Sequence, residues 1–192
     1  PAECLPDTVF GWQAPAPDFQ PAGVGATDPL AVEALFADHD GDGDIDLHVP
    51  VMVGGNRLWQ LRLATTAASN PYVGTPISTS VPANGVAYLI EYDGDGRRDL
   101  VTAGPTGSPY WFVHRSTGAG FATGISTGLS TADVPALLVL DPDGDGLNEL
   151  GYFKDGALHY LPNTGSGFAA ARATSVIQAS GSGLAELNAA AV

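Results

Sequence analysis

The chain is poor in positive charge, almost free of sulfur, and without a long apolar run. Lys and Arg total 7 in 192 residues, against 21 Asp and Glu, for a formal net charge of −14. A chain of this sign repels nucleic acid and anionic membranes, so neither is expected as a partner. The single cysteine, Cys4, excludes an internal disulfide and a thiolate metal site. The longest apolar run, Val134 to Leu140, is seven residues and contains Pro135, well short of the ~18 that cross a membrane as a helix. No stretch keeps apolar residues at i, i+3, i+4 and i+7 free of Gly or Pro, which disfavours a helical solenoid. No basic and apolar leader opens the chain at Pro1, so a processed or excised segment is expected.

What is present points to β structure. Hydrophobic residues make up 44%, enough for a core and against global disorder. The 25 Gly and 15 Pro, about a fifth of the chain, imply many turns. The sequence also repeats. Asp38–Leu47 reads DHDGDGDIDL, Glu91–Leu100 reads EYDGDGRRDL, and Asp141–Leu150 reads DPDGDGLNEL, at spacings of 53 and 50 residues. Each acidic loop sits between two short apolar runs. An aromatic run follows (Leu58–Leu61, Tyr110–Val113, Leu158–Leu161), and then a weaker β-like run such as Thr123–Leu129 or Thr174–Ile177. Four strands per ~50 residues predict an all-β fold of propeller blades, each of four antiparallel strands.

The expected units are a partial blade over 1–33, repeats over 34–85, 86–135 and 136–183, and the start of a degenerate repeat over 184–192. In the last, Glu186, Asn188 and Ala190 stand where acids are expected. Propellers close with ~4–8 blades. The chain therefore either continues in a longer protein, the preferred reading, or pools its two ends into a fourth blade. Pro71 to Pro82, with Asn70, reads as a surface loop of the first blade.

Alternating carboxylates with glycines between them need a partner, because like charges this close repel strongly. A hard divalent cation supplies one. Calcium takes ~6–8 oxygens in irregular geometry, whereas magnesium demands a stricter octahedron. Loop positions 1, 3, 5 and 9 offer side-chain oxygens. These are Asp38, Asp40, Asp42 and Asp46; Glu91, Asp93, Asp95 and Asp99; Asp141, Asp143, Asp145 and Glu149. Position 7 holds Asp44, Arg97 and Leu147, so its ligand is expected to be the backbone carbonyl. About three Ca2+ ions follow. An EF-hand is excluded because position 12 is Val49, Thr102 and Tyr152, none of which carries a carboxylate.

The DxDGDGxxDL pattern, set between strands every 50 or so residues, resembles the FG-GAP/VCBS repeat of integrin-type β-propellers. The resemblance spans roughly residues 30 to 192. It implies a calcium loop that joins the first two strands of a blade and locks a surface hairpin. The turns Ser116-Thr117-Gly118-Ala119-Gly120-Phe121 and Asn163-Thr164-Gly165-Ser166-Gly167-Phe168 further resemble modules of bacterial Rhs/YD-repeat and Tc-toxin B-component-like secreted proteins. Glu91 and Glu149 depart from the usual Asp but keep the charge.

No nucleophile elbow, zinc-protease helix or phosphate loop occurs, and no enzymatic activity is expected. His39 varies with Tyr92 and Pro142 at loop position 2 and is expected to be exposed. His114 and His159 read as ordinary blade residues. The expected function is a calcium-stabilised scaffold or docking module, in contact with a protein partner or other domains of the same chain. The alternative is a carbohydrate-binding or adhesive propeller using Trp12, Trp59, Trp111, Tyr110, Tyr152 or Tyr160. Loops with the ~10⁻⁴–10⁻³ M affinity of extracellular modules imply secretion or surface display. Thirteen of the 21 acids lie in the three loops, so most of the acidity is metal-ligating in character.

Overall fold

The structure, a computed structural model, describes residues 33–66 and 71–177. The expectations for 1–32 and 184–192, including Cys4, Trp12 and the degenerate repeat, lie outside these residues. The described residues form twelve strands in three four-stranded antiparallel sheets. The first holds β1 (Leu35–Ala37), β2 (Asp46–Val53), β3 (Asn56–Arg62) and β4 (Ile77–Pro82). The second holds β5 (Ala87–Ile90), β6 (Asp99–Ala103), β7 (Tyr110–His114) and β8 (Ile125–Ser130). The third holds β9 (Leu138–Leu140), β10 (Glu149–Lys154), β11 (Ala157–Leu161) and β12 (Arg172–Ile177). Strands follow chain order within each sheet, which is the meander of a propeller blade. The fold is all-β, as expected of a partial propeller.

One expected loop is a strand. Residues 77–82 form β4 rather than continuing the irregular stretch, and the loop ends at Pro76. Leu61 pairs with Ile77 and Gln60 with Ser78, and Thr79 Oγ1 donates to the Trp59 carbonyl. Pro82, the far limit of the expected loop, is instead the last residue of the strand, and it is tolerated because β4 is the outer strand of its sheet.

Tight turns match their residues. Gly54-Gly55 and Asp155-Gly156 connect β2 to β3 and β10 to β11 with positive φ at both central positions (57° and 83°, 51° and 76°). That is the type I′ geometry whose twist fits a hairpin.

The core lies between sheets, so alternate residues of one strand serve different neighbours. In β6, Leu100 packs with Trp59, Val81 and Ala83 of the first sheet. The adjacent Val101 joins a cluster that includes Trp111, Val113, Leu150 and Leu161, reaching into the third. The middle sheet is covered on both faces, and Leu100 and Val101 are both fully buried. This is why the two adjacent residues Leu100 and Val101 are both apolar, where a strand with one wet face would alternate.

His114, at the end of β7, is buried and shares a 3.2 Å hydrogen bond with Thr102 Oγ1. A Cβ on Gly124 would fall 2.5 Å from its ring, so only glycine fits there. Burial pushes the His114 pKa down to about 4. The unfolded chain then binds the extra proton first, and stability held above pH 6.5 is lost as pH falls toward 4. We expect His114→Gln to melt with less pH dependence than wild type between pH 6.5 and 4, in scans at saturating calcium. Parallel profiles would refute this.

Candidate metal centres

Each acidic loop is wound by its own backbone. In the first, Gly41 N–H donates to Asp38 Oδ1 (2.7 Å) and Gly43 N–H to Asp38 Oδ2 (3.0 Å). The third repeats this, with Gly144 and Gly146 donating to Asp141 at 2.8 and 3.2 Å. In the second, Gly94 donates to Glu91 Oε1 at 3.0 Å. The glycines at positions 4 and 6 have φ between 74° and 90°, a conformation that side chains with a Cβ resist. Position 5 adds an Asx-type turn. Asp42, Asp95 and Asp145 accept from the position-7 N–H at 2.8, 2.9 and 2.8 Å.

This winding gathers three carboxylates per loop. Asp38, Asp40 and Asp42 form one group, Glu91, Asp93 and Asp99 a second, and Asp141, Asp143 and Glu149 a third. Within each group one oxygen from every residue lies within 4.8 Å of the others. Asp44 and Asp46 stand outside the first group, Asp95 and Arg97 outside the second, and Asp145 and Leu147 outside the third.

Position 9 has a second task. Asp46 accepts from His39 N–H and Ala64 N–H, both at 2.7 Å. Asp99 accepts from Tyr92 N–H at 3.0 Å and Ser116 N–H at 2.6 Å. Each ties the start of its loop to the segment after the third strand. Glu149 keeps only the second of these bonds, from Asn163 N–H at 3.2 Å, because Pro142 at position 2 has no N–H. Glu149 Oε2 is buried and without a hydrogen-bond partner among the described residues.

The charges are strained by this arrangement. Burial pushes the Asp99 pKa up to about 7, against the pull of its two backbone donors. Burial also raises Glu149, with Asp143, Asp145 and Asp141 adding to it. Asp40 rises for the same reason, assisted by Asp46, Asp42 and Asp38. In the second loop, arginines offset part of this. Arg97 pairs with Asp95, and Arg115 lies 3.3 Å from Asp93.

Consecutive loops are also built against each other. Arg98 N–H donates to the Asp38 carbonyl (3.1 Å), and Asn148 N–H to the Glu91 carbonyl (2.8 Å). Ser116 Oγ donates to the His39 carbonyl at 2.6 Å, and Asn163 Nδ2 to the Tyr92 carbonyl at 3.0 Å. The position-7 side chains lie over the preceding loop. An added Cβ on Gly41 would meet Arg97 at 3.3 Å, and one on Gly94 would meet Leu147 at 3.5 Å. Both side chains fill space over the preceding loop, and Arg97 in addition pairs with Asp95 of its own loop.

His39 corrects the sequence reading. It is fully buried, with its ring 4.9 Å from Phe121 in an edge-on contact. Tyr92 sits likewise 5.5 Å from Phe168. The aromatic that closes each Gly-rich turn covers position 2 of the loop one repeat earlier. Comparing His39, Tyr92 and Pro142 by residue type hides this, since the covering residue lies some eighty positions away. Ser116 and Asn163 were missed for the same reason, while Arg115 is exposed, as a solvated edge would be, yet lies 3.3 Å from Asp93. The recurrence of Ser116 and Asn163 at the head of equivalent turns was the available signal.

The donor set fits a hard divalent cation. All three groups are oxygen-only, with no imidazole or thiolate among them. Asp93 Oδ1 and Glu149 Oε2 are buried without a hydrogen-bond partner among the described residues, an arrangement a cation would satisfy. Residues 92–152 match the FG-GAP-like repeat family. The FG-GAP-like stretch begins at position 2 of the second loop, crosses the middle sheet, and takes in the third loop and half of β10. No curated protein matches the chain.

Proposed function

We propose that this chain is a calcium-stabilised propeller module that serves as a scaffold and protein-interaction surface in a secreted or surface-displayed bacterial protein. The observation that carries the reading is the convergence of three carboxylates in each of three equivalent loops, two of them with a buried oxygen, Asp93 Oδ1 and Glu149 Oε2, that no described residue satisfies. Asp38, Asp40 and Asp42, then Glu91, Asp93 and Asp99, then Asp141, Asp143 and Glu149 would hold the ions, with the position-7 carbonyls of Asp44, Arg97 and Leu147 as further donors. The cation supplies charge neutralisation. The chain supplies the preformed oxygen set and clamps one loop onto the next. The FG-GAP-like match over 92–152 supports a propeller-type interaction module. Loops of this openness suit compartments where calcium is plentiful, which favours an extracellular setting.

A lectin reading loses two of its platforms. Trp59 and Trp111 are 2% and 3% exposed and belong to the core. The Ser-Thr-Gly-x-Gly-Phe turn likewise has a packing role of its own, since Phe121 and Phe168 cover His39 and Tyr92. Its presence therefore does not by itself mark a toxin component.

Calorimetric titration of the chelator-stripped chain tests the proposal. We expect saturable calcium uptake approaching three ions per chain, abolished by combining Asp40→Asn, Asp93→Asn and Asp143→Asn. Absence of saturable uptake by wild type would refute it.

A further inference from the structure

The three loops are alike in sequence but not in how position 9 is used, and the difference traces to one residue. In the first two loops both oxygens of the position-9 carboxylate already accept backbone N–H groups. Asp46 takes His39 and Ala64, and Asp99 takes Tyr92 and Ser116. In the third loop the position-2 residue is Pro142, which has no N–H to give. Glu149 therefore bonds Asn163 through Oε1 and leaves Oε2 buried and partnerless, within the Asp141–Asp143–Glu149 group.

We infer that the third loop binds its cation more tightly than the other two, and that Pro142 sets this preference by withholding a hydrogen bond from Glu149. The inference rests on the cation-binding reading above. A buried carboxylate oxygen with no donor has nothing to lose when an ion arrives, whereas one that already accepts an N–H must share or surrender it. The neighbouring charges act in the same direction. The second loop has a buried, partnerless oxygen of its own, Asp93 Oδ1, but Arg115 lies 3.3 Å from the other oxygen of that carboxylate and Arg97 pairs with Asp95, so protein cations already compete for its charge. No Lys or Arg forms an ion pair with an acid of the third loop among the described residues. The first loop has five carboxylates, but Asp46 has both oxygens engaged and stands outside the metal-sized group. Pro142 is exposed among the described residues, unlike the buried His39 and Tyr92 at the same loop position.

Calcium titration of the full 15N-labelled chain, read at the amide resonances of Gly43, Gly96 and Gly146, gives a midpoint for each loop separately. In wild type we expect Gly146 to reach half-saturation at the lowest calcium concentration. Pro142→Ala restores an N–H that can donate to Glu149 Oε2. It should raise the Gly146 midpoint about three- to tenfold, the range one net hydrogen bond supplies, and move the other two less than twofold. Glu149→Gln should raise the Gly146 midpoint further while leaving Gly43 saturable. The inference is overturned if Gly146 fills with or after the others, or if Pro142→Ala leaves its midpoint in place. Should none of the three glycines respond to calcium, the cation reading itself fails, an outcome distinct from calcium filling the loops in another order.

Discussion

Chelation is expected to lower the melting temperature of the calcium-loaded chain by about 15–30 °C, and added calcium to restore it. The size follows from linkage. A site filled at a hundred times its dissociation constant stabilises the folded state by about 2.7 kcal/mol, provided the unfolded chain does not bind. Three such sites give roughly 8 kcal/mol, and for a chain of this length each kcal/mol moves the midpoint about 2–4 °C. The direction follows from the carboxylates. Without an ion, Asp99 and Glu149 stay buried beside other acids, and their folded pKa values are raised. Raised carboxylate pKa values add stability that is present below the unfolded value and lost as pH rises through the folded one, about 7 for Asp99. The effect of chelation should therefore be larger at pH 7.5 than at pH 5. An unchanged melting temperature in chelator at pH 7.5 would sink the proposal that the loops hold structural ions.

The second large effect is Trp111→Ala, which should cost about 3–5 kcal/mol, the range for emptying a large aromatic site in a core. Trp111 is buried in the cluster that joins the middle and third sheets, with Val113, Leu150 and Leu161. Its Nε1 also donates to the Val134 carbonyl at 2.8 Å. A subtler pair of variants checks that bond. The equivalent Trp59 has no partner for its Nε1 among the described residues. The link after its sheet, residues 83–86, is shorter than residues 131–137, which carry Val134. Trp111→Phe should then be more destabilising than Trp59→Phe by about 1 kcal/mol, the net value of one hydrogen bond. Chemical denaturation reads both. Near-normal stability of Trp111→Ala, together with loss of a glycan-binding activity, would instead favour a sugar-stacking role.

Much of the fold could be read along the chain because its causes are local. The loop glycines, the alternation of acids and the apolar runs are all short-range patterns, and β2, β6 and β10 lie where those patterns place them. β4 was hidden, because the stretch from Pro71 to Pro82 reads as a loop while the pairing that makes 77–82 a strand comes from β3. Burial of His39 was hidden for a similar reason. Its covering ring, Phe121, belongs to another repeat.

The sequence by itself determined the repeat, the all-β class and the three carboxylate loops, since glycine at positions 4 and 6 and acids at alternate positions act through neighbouring bonds. Only the tertiary structure decided which oxygens remain free. Asp46 and Asp99 have both oxygens engaged by backbone N–H groups from two directions, while Glu149 keeps one open because proline carries no hydrogen there. The physical reason is that a carboxylate's availability depends on every donor that folding brings to it. Three of those five donors, Ala64, Ser116 and Asn163, lie fourteen to eighteen residues beyond the acids they meet.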